Sequence, residues 1–333
     1  HIDSKEPISR WWRNVNIDPL INGKSQYYLA YNKDRKYAIF HIDNPDKPIS
    51  QWWDDIITYA GLLKNESQYY IVGEKGKNAI FHINNPNEPV SQWWIHIKNG
   101  GLVQGQSDYY IVLTNQAQYA IFHIDNPNEP VSQWWKGIEA NGLLRGNSSY
   151  YIVENQQKQT AIFHIDDPIN PAGNWYNYLI YEAGLINGTT SCYAVRNSNN
   201  FPSSVEIYDI RQNNEFLYEI YVDEFEPLYI NTKLAIFISD DQLVIYDPTY
   251  MQTITSKEQL APRNIKTSYQ TELLISKYIY YNLLPIVTKE KSYLYNLEGE
   301  LLQTFHDQQE MTTYLDEHIN TKSINNDDML ILY

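Results

Sequence analysis

A doubled tryptophan recurs at a fixed spacing, strand-like segments pair around polar turns, and the two chain ends each supply half of one unit. Together these predict a mainly β fold, a closed toroid of the β-propeller kind with about seven or eight units of ~41 residues. Short helical or extended Trp-Trp segments are expected between its hairpins. The pairs are Trp11-Trp12, Trp52-Trp53, Trp93-Trp94, Trp134-Trp135 and Trp175-Tyr176. They contain all nine tryptophans of the 333-residue chain.

The first element of a unit is a strand such as SQYYIV (67–72), SDYYIV (107–112) or SSYYIV (148–153). After a polar turn comes a second strand such as NAIFHI (78–83). β-Branched and aromatic runs around a polar turn predict a hairpin. On the second strand Ala38, Phe40 and Ile42 share one face, and Ile39, His41 and Asp43 the other.

The third element is Pro-x-Ser-x-Trp-Trp. Ser9, Ser50, Ser91 and Ser132 stand where a helix N-cap would. An aliphatic follows three residues after the second aromatic: Val15, Ile56, Ile97, Ile138 and Leu179. That spacing keeps both on one helix face. Gly61, Gly101, Gly142 and Gly184 then suit a helix end. The segment is therefore expected to be a short helix, and an outer strand otherwise. Repeat one, WWRNVNIDPL with Pro19, alternates and suits an extended form.

Beyond about residue 200 the rhythm weakens. LAIFISDDQLVIYDP (234–248) and LLPIVTKEKSYLYNLEGE (283–300) read as hairpins, and DQQEMTTYLDEH (307–318) as a helix in the place of the Trp-Trp segment. The organisation expected is a single repeat-built domain over 1–333, regular in 1–200 and divergent in 201–333. Its C-terminal strand, 329–333, would pair near an N-terminal strand, 1–3, and close the ring. An open solenoid would need polar caps instead.

Through the order hairpin, aromatic-bearing segment, glycine, residues 1–200 are similar to the repeats of lectin-type propellers such as the tachylectins. The doubled tryptophans depart from that pattern. The resemblance implies multivalent glycan binding and transfers no binding residue.

The formal net charge is −15 and the sequence pI about 4.9. Such a surface disfavours nucleic acid and anionic lipid and favours a basic partner. The sequence has no apolar run long enough for a membrane-spanning helix, so no membrane insertion is expected. A start at His1 leans toward an exported chain if His1 is a processed terminus, and toward a cytoplasmic one otherwise. The single cysteine, Cys192, excludes an internal disulfide and reads as a buried thiol, since it stands where other repeats carry tyrosine.

No nucleophile, zinc-protease, phosphate-loop or dinucleotide motif is present. His41, His82, His123 and His164, with His1 at a similar place, recur because the unit recurs, and neighbouring units hold them too far apart for one ion. No metal or cofactor is expected. Asp43, Asp125, Asp166 and Asn84 precede Asx-Pro and suit turns. Asp54-Asp55 and Asp223-Glu224 mark no pocket, so a glycoside-acting enzyme is the weakest reading.

The tryptophans divide by position. Trp12, Trp53, Trp94, Trp135 and Tyr176 are expected to pack between units. Trp11, Trp52, Trp93, Trp134 and Trp175 are expected to face a ligand or partner. The expected function is a non-catalytic protein-binding scaffold for a basic partner, of inhibitor, immunity-type antidote or adaptor kind. The alternative is a multivalent lectin with one glycan site per repeat.

Overall fold

The computed structural model describes residues 14–16, 25–57, 62–64, 66–98, 100–177, 180–181, 184–197, 204–212, 214–222, 225–239, 242–248, 252–259, 269–288, 291–297 and 300–321. These residues are mainly β, in a propeller-type succession of seven antiparallel sheets with few helices. Two compact units divide the chain, residues 1–177 and 178–333. The proposed closing strands at 1–3 and 329–333, with Trp11, Trp12 and Gly61, lie outside the described residues.

The first unit holds four copies of one sheet. Sheet 1 joins β1 (Asn14–Asn16), β2 (Tyr27–Tyr31) and β3 (Tyr37–His41). Sheet 2 joins β4 (Asp55–Ile57), β5 (Tyr69–Glu74) and β6 (Lys77–His82). Sheet 3 joins β7 (His96–Lys98), β8 (Tyr109–Leu113) and β9 (Tyr119–His123). Sheet 4 joins β10 (Gly137–Glu139), β11 (Tyr150–Glu154) and β12 (Thr160–His164). The two longer strands of each sheet are the expected hairpin. Its turn in sheet 2 is the two-residue Lys75-Gly76, both at positive φ (52° and 74°), the backbone that matches strand twist. In sheets 1, 3 and 4 the loop is longer, and Arg35, Ala117 and Lys158 hold the left-handed position (φ 61°, 54° and 61°).

The Trp-Trp segment is extended, which corrects the helical expectation. The backbone of Trp53 exchanges hydrogen bonds with Tyr37 (2.8 and 2.9 Å), and Trp94 with Asn78, Trp135 with Tyr119 and Tyr176 with Thr160 do the same. Each pair covers the free edge of the second hairpin strand, where exposed N–H and C=O groups would otherwise invite other strands. Ser50, Ser91 and Ser132 cap no helix. Their hydroxyls accept the buried N–H groups of Ile39, Ile80 and Ile121 at 2.9–3.0 Å. The i,i+3 spacing misleads because the chain bends between the two residues: Trp53 completes one sheet, and Ile56 pairs with Val72 in the next.

The glycines are not helix ends either. Gly101 lies in α1 (Gly100–Gln104) and Gly142 in α2 (Asn141–Leu144). Gly184 lies in a turn at φ 98°. A Cβ on Gly101 would sit 1.4 Å from the Leu144 carbonyl oxygen, and one on Gly105 1.9 Å from that of Glu66. The Gly-Leu-x-x-Gly turns of successive repeats therefore stack backbone on backbone. Hydroxyls fasten the stack: Ser25 donates to the Leu62 carbonyl (3.0 Å) and Ser67 to that of Leu102 (2.9 Å).

Both sheet faces are buried, so the alternation of the strands separates two interfaces rather than core from solvent. Leu29 and Ile39 of sheet 1 pack on Tyr70, Val72, Ala79 and Phe81 of sheet 2. Ile71 and Ile80 meet Tyr110, Val112, Ala120 and Phe122 in the same way, and Ile111 and Ile121 meet Tyr151, Val153, Ala161 and Phe163.

In the second unit full strands replace the tryptophan edge. Sheet 5 joins β13 (Ile180–Tyr181), β14 (Cys192–Asn197), β15 (Ser204–Asp209) and β16 (Glu215–Tyr221). Sheet 6 joins β17 (Glu226–Ile230), β18 (Ala235–Ser239), β19 (Gln242–Asp247) and β20 (Gln252–Gln259). Sheet 7 joins β21 (Leu284–Val287), β22 (Ser292–Tyr295) and β23 (Leu301–Phe305). Both hairpins expected here form, as β18–β19 and β21–β22. Helix α3 (Tyr269–Tyr278) packs Ile275 into the core between sheets 6 and 7. Helix α4 (Gln308–Thr321) forms where a helix was expected, but β23 takes the edge. Instead, α4 lays Met311 and Leu315 against Val287, Leu294 and Phe305 of sheet 7. Asp307 and Glu310 start it reciprocally: the Asp307 carboxylate accepts the Glu310 N–H (2.9 Å), and the Glu310 carboxylate that of His306 (2.7 Å).

Candidate functional site

The paired aromatics form a continuous wall along the first unit. Phe81 is gripped by the second tryptophan of the preceding segment and the first of its own. Trp53 lies 5.3 Å from it, centroid to centroid, and Trp93 is edge-on at 6.1 Å. Phe122 sits likewise between Trp94 and Trp134, and Phe163 between Trp135 and Trp175. Trp53 also tilts against Trp93, Trp94 against Trp134, and Trp135 against Trp175, at 5.8–6.1 Å. Trp52 is edge-on to Phe40 at 6.0 Å. Members of both positions are half-buried, and Tyr176 is buried.

The indole N–H groups of Trp53, Trp94 and Trp135 and the hydroxyls of Tyr70, Tyr110 and Tyr151 are buried without a hydrogen-bond partner. Burial pushes all three phenols up. These side chains serve by bulk. Tyr28, at the matching place in sheet 1, instead donates to the Pro45 carbonyl (3.1 Å).

In sheets 1 to 4 the end away from the hairpin turn carries an Asx-Pro turn. Each turn is built on its histidine. The Nδ1 atoms of His41, His82, His123 and His164 accept the N–H two residues on, at 3.2–3.3 Å. The rings stand edge-on to Tyr27, Tyr69, Tyr109 and Tyr150 at 4.9–5.2 Å. Nε2 of His41 meets Gln26 Oε1 at 3.0 Å. Among the described residues no group of three or more His, Cys, Asp or Glu is placed to hold a metal ion.

The rim is acidic. Asp43, Asp125 and Asp166 point outward with side chains 84–86% exposed. Asp46, Glu88, Glu129 and Asp167 lie in the same turns, against Lys47 as the one cation. The turn carboxylates reach the tyrosines of the preceding repeat. Tyr69 is raised first by burial and then by Asp125 of the next repeat, and Tyr109 by burial and then by Asp166.

The hairpin end is different in character. Between sheets 1 and 2, Lys36 bridges Asp54 (3.2 Å) and Glu74 (3.9 Å). The Lys75 N–H and then Lys36 hold the Asp54 carboxyl below the usual carboxylate range. Between sheets 3 and 4 lies an open cleft of about 570 Å³ at Trp134 and Trp135. No local signal in the sequence marks that cleft. The stacked glycine turns were marked by the repeated Gly-Leu-x-x-Gly of 101–105, 142–146 and 184–188.

No family model and no curated protein sequence matches the chain. Among solved structures it is similar to Kluyveromyces lactis Hsv2, with 12% identity, 84% of this chain and 95% of that one covered, and a TM-score of 0.40. Against Saccharomyces cerevisiae Sqt1 the values are 9%, 85%, 83% and 0.38. Against a eukaryotic initiation factor they are 10%, 88%, 78% and 0.41. At these values no function passes from them to this chain.

In sheet 5, Cys192 is buried and its thiol is pushed up to about 12, by burial first and by Asp209 next. Among the described residues no helix is long and apolar enough to cross a membrane.

Proposed function

We propose that the protein is a non-catalytic binding scaffold whose turn rim docks a basic protein, in the manner of an inhibitor, antidote or adaptor. One observation carries the reading: the Asx-Pro turns of successive repeats each carry exposed carboxylates, with Lys47 the one cation among them. Exposed charges of one sign steer a partner of opposite sign and are not needed by the core. The net charge of −15 acts in the same direction. The first tryptophans of the pairs, Trp11, Trp52, Trp93, Trp134 and Trp175, would be a second contact zone; of these Trp52, Trp93, Trp134 and Trp175 are half-buried.

An array of peptides graded in net charge tests the proposal. The full chain should bind Lys/Arg-rich peptides, and about 150 mM added salt should weaken binding. Asp125→Lys with Glu129→Lys and Asp166→Lys should remove it without changing the melting temperature. A profile indifferent to peptide charge, or unchanged by the triple reversal, would overturn it.

A further inference from the structure

The cleft between sheets 3 and 4 owes its shape to three local choices. Both flanking hairpins carry the longer loop, whereas sheet 2 has the short Lys75-Gly76 turn. Gly137 stands where the preceding repeats have Asp55 and His96. Gln118 and Lys136 stand where Lys36 and Asp54 join across the first interface. No ion pair spans this one among the described residues.

The lining is chemically narrow. Gln116, Gln118, Gln156 and Gln157 line it together with Trp134 and Trp135, and Lys136 is the one charged residue of the lining. Asn155 is committed to its own loop through Gln159. Gln116, Gln156 and Gln157 are exposed, and no hydrogen bond joins their side chains to another described residue.

We propose that this cleft is a saccharide site. A carboxamide donates and accepts at once, as vicinal hydroxyls do. An indole offers an apolar wall for the C–H face of a pyranose, and a few polar groups in a concave site fix orientation. The cleft has no carboxylate to tie up its amides in ion pairs. The proposal goes beyond the docking of a basic protein and uses a different end of the sheets. It also narrows the lectin reading, because the matching positions of the first interface are closed by ions.

The test is a glycan array followed by calorimetric titration of the best saccharide into the full chain. One site per chain is expected. Gln116→Ala with Gln157→Ala should weaken binding about tenfold. Gln118→Lys with Lys136→Asp, which transplants the Lys36–Asp54 pair, should abolish it. Both double variants change partly or fully exposed positions and should melt as the parent does. A blank array, several equivalent sites per chain, or binding that survives both double variants would overturn the proposal. The triple charge reversal of the rim should leave sugar binding intact, so failure of one reading is distinguishable from failure of the other.

Discussion

At the scale of single residues, the repeats act as internal controls. Tyr110 and Tyr28 occupy equivalent places, but only Tyr28 has an acceptor for its hydroxyl. Removing an unpartnered buried hydroxyl relieves a desolvation cost, whereas removing a partnered one orphans a carbonyl. Tyr110→Phe should therefore be neutral or stabilising by about 1 kcal/mol, and Tyr28→Phe destabilising by about 1 kcal/mol, in denaturant melts. Ser91→Ala strips the Ile80 N–H of its acceptor and should cost about 1–3 kcal/mol. Gly173 stands at the corresponding position of the next segment, so Gly173→Ser should stabilise. Asp54 gives a pH signature. Its folded-state pKa is depressed, so its contribution is present above the unfolded pKa and lost as pH falls through the folded one. The stability gap between the parent and Asp54→Asn should close in acid below the usual carboxylate range. A gap that persists there would show that Asp54 acts through something other than its charge.

Elements were legible to different degrees, for physical reasons. The hairpins stood out because alternation and turn chemistry are local: Tyr-Tyr-Ile-Val, polar turn, Ala-Ile-Phe-His. The Trp-Trp segment did not. Its spacing of three is shared by a helix face and by a strand that bends at Asp54 between two sheets. Strands as short as Asp55–Ile57 carry too few residues for any period. In the second unit β16 and β20 do by regular pairing what Trp-Trp backbones do in the first, without their signature. The glycine turns test the stacking directly. Gly101→Ala must displace the Leu144 backbone and should cost more than about 2 kcal/mol. Nothing lies within 4 Å of a Cβ on Gly76, so Gly76→Ala meets only left-handed strain, about 1 kcal/mol. Equal costs at the two sites would contradict the stacked-turn account.

At the scale of the whole molecule, sequence similarity between repeats records architecture first. Repeated residues such as Trp53, Trp94 and Trp135 with Phe81, Phe122 and Phe163 build joints. The charged and amide residues proposed to meet partners lie in turns at the two ends of the sheets, where the repeats differ in charge. The rim carries the central claim, that the exposed carboxylates of the turns dock a basic protein. Quantitative affinity capture from the native host tests it most directly, comparing the parent chain with the Asp125→Lys, Glu129→Lys, Asp166→Lys variant at low and moderate salt. A basic protein should be retained by the parent, released by salt and lost from an equally stable variant. The same protein held equally by both chains, at both salt concentrations, would contradict it.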